Sequence, residues 1–74
     1  MDSAKIRDEQ QLAALLEEIR PHSAAAQTGR LSKIRESLEL DQMYYEQKGS
    51  ESGMARTGRC LALIDARLEK LRRP

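Results

Sequence analysis

A chain with no valine, phenylalanine or tryptophan has little from which to build a β-sheet. Strands draw on β-branched and aromatic side chains. Here the apolar content is mostly leucine, isoleucine and alanine, and the only aromatic residues are Tyr44 and Tyr45. Glutamate, glutamine, arginine and lysine fill much of the rest, and these are strong helix formers. The expected fold class is all-α.

Length sets the second limit. The 74 residues allow one domain. A domain of this size hides only about 60% of its unfolded surface, so it needs help to be stable. The usual aids are disulfides, a metal, association or unusually good helix packing. Cys60 is the only cysteine, which excludes a disulfide within the chain. His22 is the only histidine, and no Cys/His cluster is present to hold a metal. Helix packing and association remain.

Helical spacing divides the chain into three segments. Leu12, Leu15, Leu16 and Ile19 form one stripe, which predicts a helix over residues 3–20 with Ser3 as its cap. Pro21 disfavours helical geometry at Arg20 and ends or kinks the helix there. Residues 21–29 read as a connector, either a loop or a short helical turn built on Ala24, Ala25 and Ala26. Leu31, Ile34, Leu38 and Tyr45 then predict a second helix over residues 30–48, stopped by Gly49. The run Gly49-Ser50-Glu51-Ser52-Gly53 is the clearest turn, and a connection this short makes its flanking helices antiparallel neighbours. Leu61, Ile64, Leu68 and Leu71 alternate three and four, as in a coiled-coil seam that Thr57 extends backwards, and predict a third helix over residues 54–72. Gly58 marks either close packing against the second helix or a weak first turn.

The expected architecture is thus three helices with a C-terminal antiparallel hairpin. Its inner face holds Leu38, Leu61, Ile64 and Leu68. A lone hairpin exposes much leucine, so either the first helix or a second copy should cover it. A homodimer completing a helical bundle is the favoured form.

No catalytic constellation stands out. His22 lies in a polar connector and is the only imidazole available as a general base. Phosphate-loop and dinucleotide fingerprints are missing. The chain is therefore expected to be no enzyme and to need no cofactor or metal. Cys60 reads as a small buried hydrophobe. No segment has the length and apolarity of a membrane span or a signal peptide, and a single unpaired cysteine suits a reducing compartment. Together these predict a complete cytoplasmic protein.

Two kinds of partner are compatible with the residues. Leu40, Met43 and Leu63 fall off the main seams. Tyr44 and Tyr45 are of a type enriched at protein contacts, one of them expected on the hairpin seam and the other pointing elsewhere. These five are the candidate partner-binding residues of a small adaptor, co-chaperone or inhibitor. The alternative is a nucleic-acid-binding regulator. Nine of the thirteen cations are arginine, and residues 50–74 carry a net charge of +3, against −2 for residues 1–20. Arg56, Arg59, Arg67, Arg72 and Arg73 would then contact phosphates. Asp65 and Glu69 interrupt that row, so a solvated helix face is the simpler expectation for it.

Overall fold

The computed structural model describes Ile6 and residues 8–73, and among these it is all-helical. Helix α1 spans Glu9–Glu18, α2 spans Ala24–Lys48 and α3 spans Glu51–Arg72. Each opens on a polar side chain that accepts from a free backbone N–H. Asp8 takes Gln11 N at 2.8 Å, Ser23 takes Ala26 N at 3.1 Å and Ser50 takes Gly53 N at 3.2 Å. Such caps satisfy donors that the first turn cannot.

These caps correct the expected boundaries. Helix α1 is capped at Asp8, whose backbone is extended, and at Ile19, so it stops short of the expected end at Arg20. Ser3, the expected cap, lies outside the described residues. The connector shrinks to residues 19–23. Ala24, Ala25 and Ala26 are neither loop nor separate turn but the start of α2, which runs through Gly29 without interruption. Alanine propensity and the Ser23 cap outweigh one interior glycine. The hairpin turn is only Gly49 and Ser50, with Glu51, Ser52 and Gly53 already helical. Gly49 holds the left-handed conformation at φ 75°, with its N–H on Glu46 O and the N–H of Ser50 on Tyr45 O. This paired closure is a common end for a helix that stops on glycine.

The core draws on all three helices. Leu12, Leu15, Leu16 and Ile19 of the first segment meet Leu31 and Leu38 of α2 and Cys60 and Ile64 of α3. Leu61, Leu68 and Leu71 pack at its edge and are only half-buried. The buried line of α3 is Gly53, Thr57, Cys60 and Ile64: Thr57 and Ile64 keep their place in the seam read in the sequence, while Leu61, Leu68 and Leu71 fall to its edge and Cys60 takes the centre. The cause is the first segment, which packs on one side of the hairpin and draws the centre of the core toward itself. Its four side chains are each worth about 1.5–3 kcal/mol on burial, an upper estimate. That is comparable with the whole stability of a small domain. The first segment covers one side of the hairpin.

The hairpin register follows from contacts between its arms. Tyr45 lies against Gly53, Gln42 beside Gly58, and Arg35 against Asp65. Gly58 has ordinary space above it, since an added Cβ would sit 3.6 Å from Gln42 Nε2. The close approach is at Gly53 instead. On one face the hairpin is bridged by charge: Arg35 Nε donates to Asp65 Oδ1 at 2.7 Å, and its Nη1 pairs with Glu39. At the far end Gln27, almost fully buried, donates from Nε2 to His22 O at 2.8 Å and Arg20 O at 3.3 Å. Gln27 thereby ties the connector to the first turns of α2.

Candidate partner-binding surface

Helical phase decides which apolar residues are left outside. Leu40 follows the buried Leu31 by nine positions, about two and a half turns, so it projects from the opposite side of α2. Met43 and Tyr44 stand three and four positions on and share its face. These are the most exposed large apolar side chains among the described residues, at 67% for Leu40, 57% for Met43 and 56% for Tyr44. Together they form a ridge on the outer side of the hairpin. Its aromatic member is held in place. The Tyr44 ring meets the Tyr45 ring edge-on, with centroids 5.6 Å apart, and Lys48 Nζ lies 5.5 Å above it.

The structure separates the other two candidates from this ridge. Tyr45 turns inward. Its ring covers Gly53, and its hydroxyl accepts from Arg56 Nη2 at 3.1 Å. It belongs to the hairpin and only its neighbour faces solvent. Leu63 is one position before the buried Ile64, so it is rotated by about 100° toward the first helix. It shares a shallow recess of about 180 Å³ with Leu16, Ala66, Arg67 and Lys70, and is 37% exposed. Leu40 and Leu63 are therefore on different surfaces, and the ridge is Leu40, Met43 and Tyr44.

The arginines are also divided. Arg59 Nε reaches Glu9 Oε1 at 2.8 Å and fastens α1 to α3. Arg72 and Arg73 both reach Glu69, at 3.3 and 3.4 Å. Arg56 is occupied by Tyr45, with its guanidinium carbon 5.7 Å from the ring centroid. Of the five, only Arg67 makes no hydrogen bond or ion pair within the described residues. They do not form one free basic face.

Hollows also lie between the helices, one of about 470 Å³ beside Arg35, Asp65 and Leu68. A groove of about 340 Å³ between α1 and α2 is lined by Ile6, Ala14, Leu15 and Ile34, with Gln11, Glu18 and Arg30. Another hollow of about 290 Å³ lies between Ile6, Leu38, Asp41, both tyrosines, Arg56 and Thr57. Cys60 is fully buried, as expected. Burial pushes its thiol pKa up, and the carboxylates of Glu9 and Asp8 add to that while Arg56 and Arg59 oppose it. A thiol so placed is a poor nucleophile. Among the described residues no three of histidine, cysteine, aspartate and glutamate gather as metal ligands, and no helix is long and apolar enough to cross a membrane.

No protein family, curated protein or solved structure matches the chain.

Proposed function

We propose that this chain is a non-enzymatic interaction module, a small adaptor, co-chaperone or inhibitor, that packs the outer face of α2 against a helix. It would work in the cytoplasm, where its single thiol stays reduced. One observation carries this. Leu40, Met43 and Tyr44 are exposed together on a helix whose opposite face is already committed to the core. Exposed single apolar residues are ordinary, but a contiguous ridge with an anchored tyrosine is the composition of a contact site. The nucleic-acid alternative is weaker, because four of its five arginines are engaged within the chain.

The test is site-specific photo-crosslinking in the source cells. A photoreactive phenylalanine analogue at Tyr44 should give a discrete protein adduct, and the same probe at exposed Ala13 should not. Leu40→Glu should abolish the Tyr44 adduct while leaving helicity intact. No adduct at 40, 43 or 44, or the same adducts at 13, would remove the proposal. A mobility shift with DNA or RNA that weakens steeply with salt would move the function to the alternative.

A further inference from the structure

We propose that the helix received by this ridge is α2 of a second copy, lying antiparallel to the first. This rests on the ridge being a binding surface and adds the identity of its occupant.

The hairpin face that bridges α2 and α3 carries Arg35, which spans from Glu39 to Asp65. Docking there would mean breaking or burying that charge cluster, and burying ions is costly. The outer face of α2 asks for no such change. Its ridge is compact: in a two-fold arrangement centred near residue 42, Leu40 of one copy faces Tyr44 of the other and Met43 lies near the axis. An isologous contact of this kind uses the same patch twice. Tyr44 is already held by Tyr45 and Lys48, so little side-chain freedom is lost on docking.

Charge selects the direction. Because α2 and α3 are antiparallel, and Glu9 meets Arg59, the described charges sort along the hairpin axis. The half nearer Gly49 carries Asp8, Glu9, Glu39, Asp41, Glu46 and Glu51 against Lys48, Arg56 and Arg59. The other half has the reverse excess, led by Arg30, Lys33, Arg67 and Lys70. A parallel pair would stack basic half on basic half. An antiparallel pair sets Lys33 of one copy beside the Gly49 turn of the other, where Glu46 and Glu51 lie. Complementary potentials of this kind fix orientation more than affinity. Three apolar side chains from each copy make a contact at the small end of the size range, so the pair should be weak and in rapid exchange.

Sedimentation velocity on the purified full chain, from micromolar to millimolar concentration, should show a rapid monomer–dimer equilibrium. Leu40→Glu should weaken it by about tenfold or more, and molar salt should weaken it as well. Single added cysteines report the direction, since Cys60 is buried and serves as the unreactive background. Met43→Cys should form a disulfide-linked dimer under mild oxidation. Lys33→Cys should not, because nine residues from the axis on each copy leaves about 27 Å between the two. Equal cross-linking at 33 and 43 overturns the antiparallel arrangement. A strictly monomeric chain at millimolar concentration, or a Leu40→Glu variant that associates as the parent does, overturns self-pairing. If that monomer still gives a Tyr44 photo-adduct with a different protein, the ridge remains a binding surface and only its occupant was wrong. If no adduct of either kind forms, both proposals fall.

Discussion

Adding one methyl group at Gly53 should destabilise the hairpin, although helix propensity alone predicts the reverse. A Cβ on this residue would lie 2.5 Å from Tyr45 Cδ1, 2.6 Å from Cγ and 2.9 Å from Cε1. Carbon atoms in favourable contact stand about 3.5–4.0 Å apart, so the ring must retreat by about 1 Å. Its freedom to do so is limited. Arg56 donates to the hydroxyl at 3.1 Å, and the Tyr44 ring meets it edge-on at 5.6 Å. Overpacking of this kind costs about 1–3 kcal/mol. Alanine in place of a helical glycine returns at most about 1 kcal/mol, and less in the first turn. Gly53→Ala should therefore lose about 1 kcal/mol net, read as a lower urea midpoint, or as a melting temperature lower by about 4–8 °C. With Tyr45→Ala already in place the obstacle is gone, and the same Gly53→Ala change should become stabilising. A double-mutant cycle measures that reversal of sign directly. A Gly53→Ala protein as stable as the parent, or an equal effect in both backgrounds, would show that Tyr45 does not press on this helix.

Three other perturbations test the core, the connector and the charged face. Ile64→Ala should cost about 2–5 kcal/mol, and Leu68→Ala distinctly less because Leu68 is only half-buried; comparable urea midpoints would place the seam wrongly. Gln27→Met keeps the volume and removes the unpartnered Gln27 Oε1, but it also removes the donor to Arg20 O and His22 O, and should cost about 1 kcal/mol in thermal unfolding. The Arg35 hydrogen bond holds the Asp65 carboxyl below its ordinary value of 3.8. Its contribution is therefore complete above that value and is lost as pH falls through the lower folded-state pKa. Asp65 is half-exposed, so the effect is under about 1 kcal/mol. Asp65→Asn should flatten the acid side of the melting-temperature profile by that much, and an unchanged profile would show the pair to be idle.

How far the fold was legible depended on what each residue signals by itself. Periodicity of leucine and isoleucine located three helices, and Gly49 marked the hairpin. The boundaries were harder, because glycine and serine serve turns and helix starts alike. Gly49 needed its left-handed backbone, whereas Gly53 sits in ordinary helix and is small only because Tyr45 lies over it. Ser50, inside the expected turn, is the cap of α3. The helix carried through Ala24-Ala25-Ala26 because Ser23 capped it, a local signal masked by Gly29 further on. Thr57 and Ile64 were legible as part of the α3 seam, but the demotion of Leu61 and Leu68 to the edge of the core was not legible in that helix. It depends on where the first helix lies, which is a tertiary fact. The candidate surface was partly visible for the same reason. Phase put Leu40, Met43 and Tyr44 together, but the separation of Leu63 and the capture of Tyr45 required three dimensions.

The ridge on α2 could still be explained without a partner, since leucine and methionine are good helix formers and tolerate exposure. Tyrosine does not fit that account. It is a weaker helix former than glutamine or glutamate, and at this position it contributes no core packing beyond its edge contact with Tyr45. If Leu40, Met43 and Tyr44 exist only to hold the helix, replacing all three by glutamine should lower stability in proportion to what they bury. They bury little, so the expected loss for the monomer is within about 1 kcal/mol, as for ordinary surface changes and one aromatic edge contact. The melting temperature measured at high dilution, where no association contributes, should therefore stay close to that of the parent. At high concentration the parent alone should gain stability, because only a chain that associates is stabilised by mass action. A triple variant several kcal/mol less stable at high dilution would assign the ridge to the fold itself and remove the reason for seeking a partner there. A gap between parent and variant that opens only with concentration would assign it to self-association.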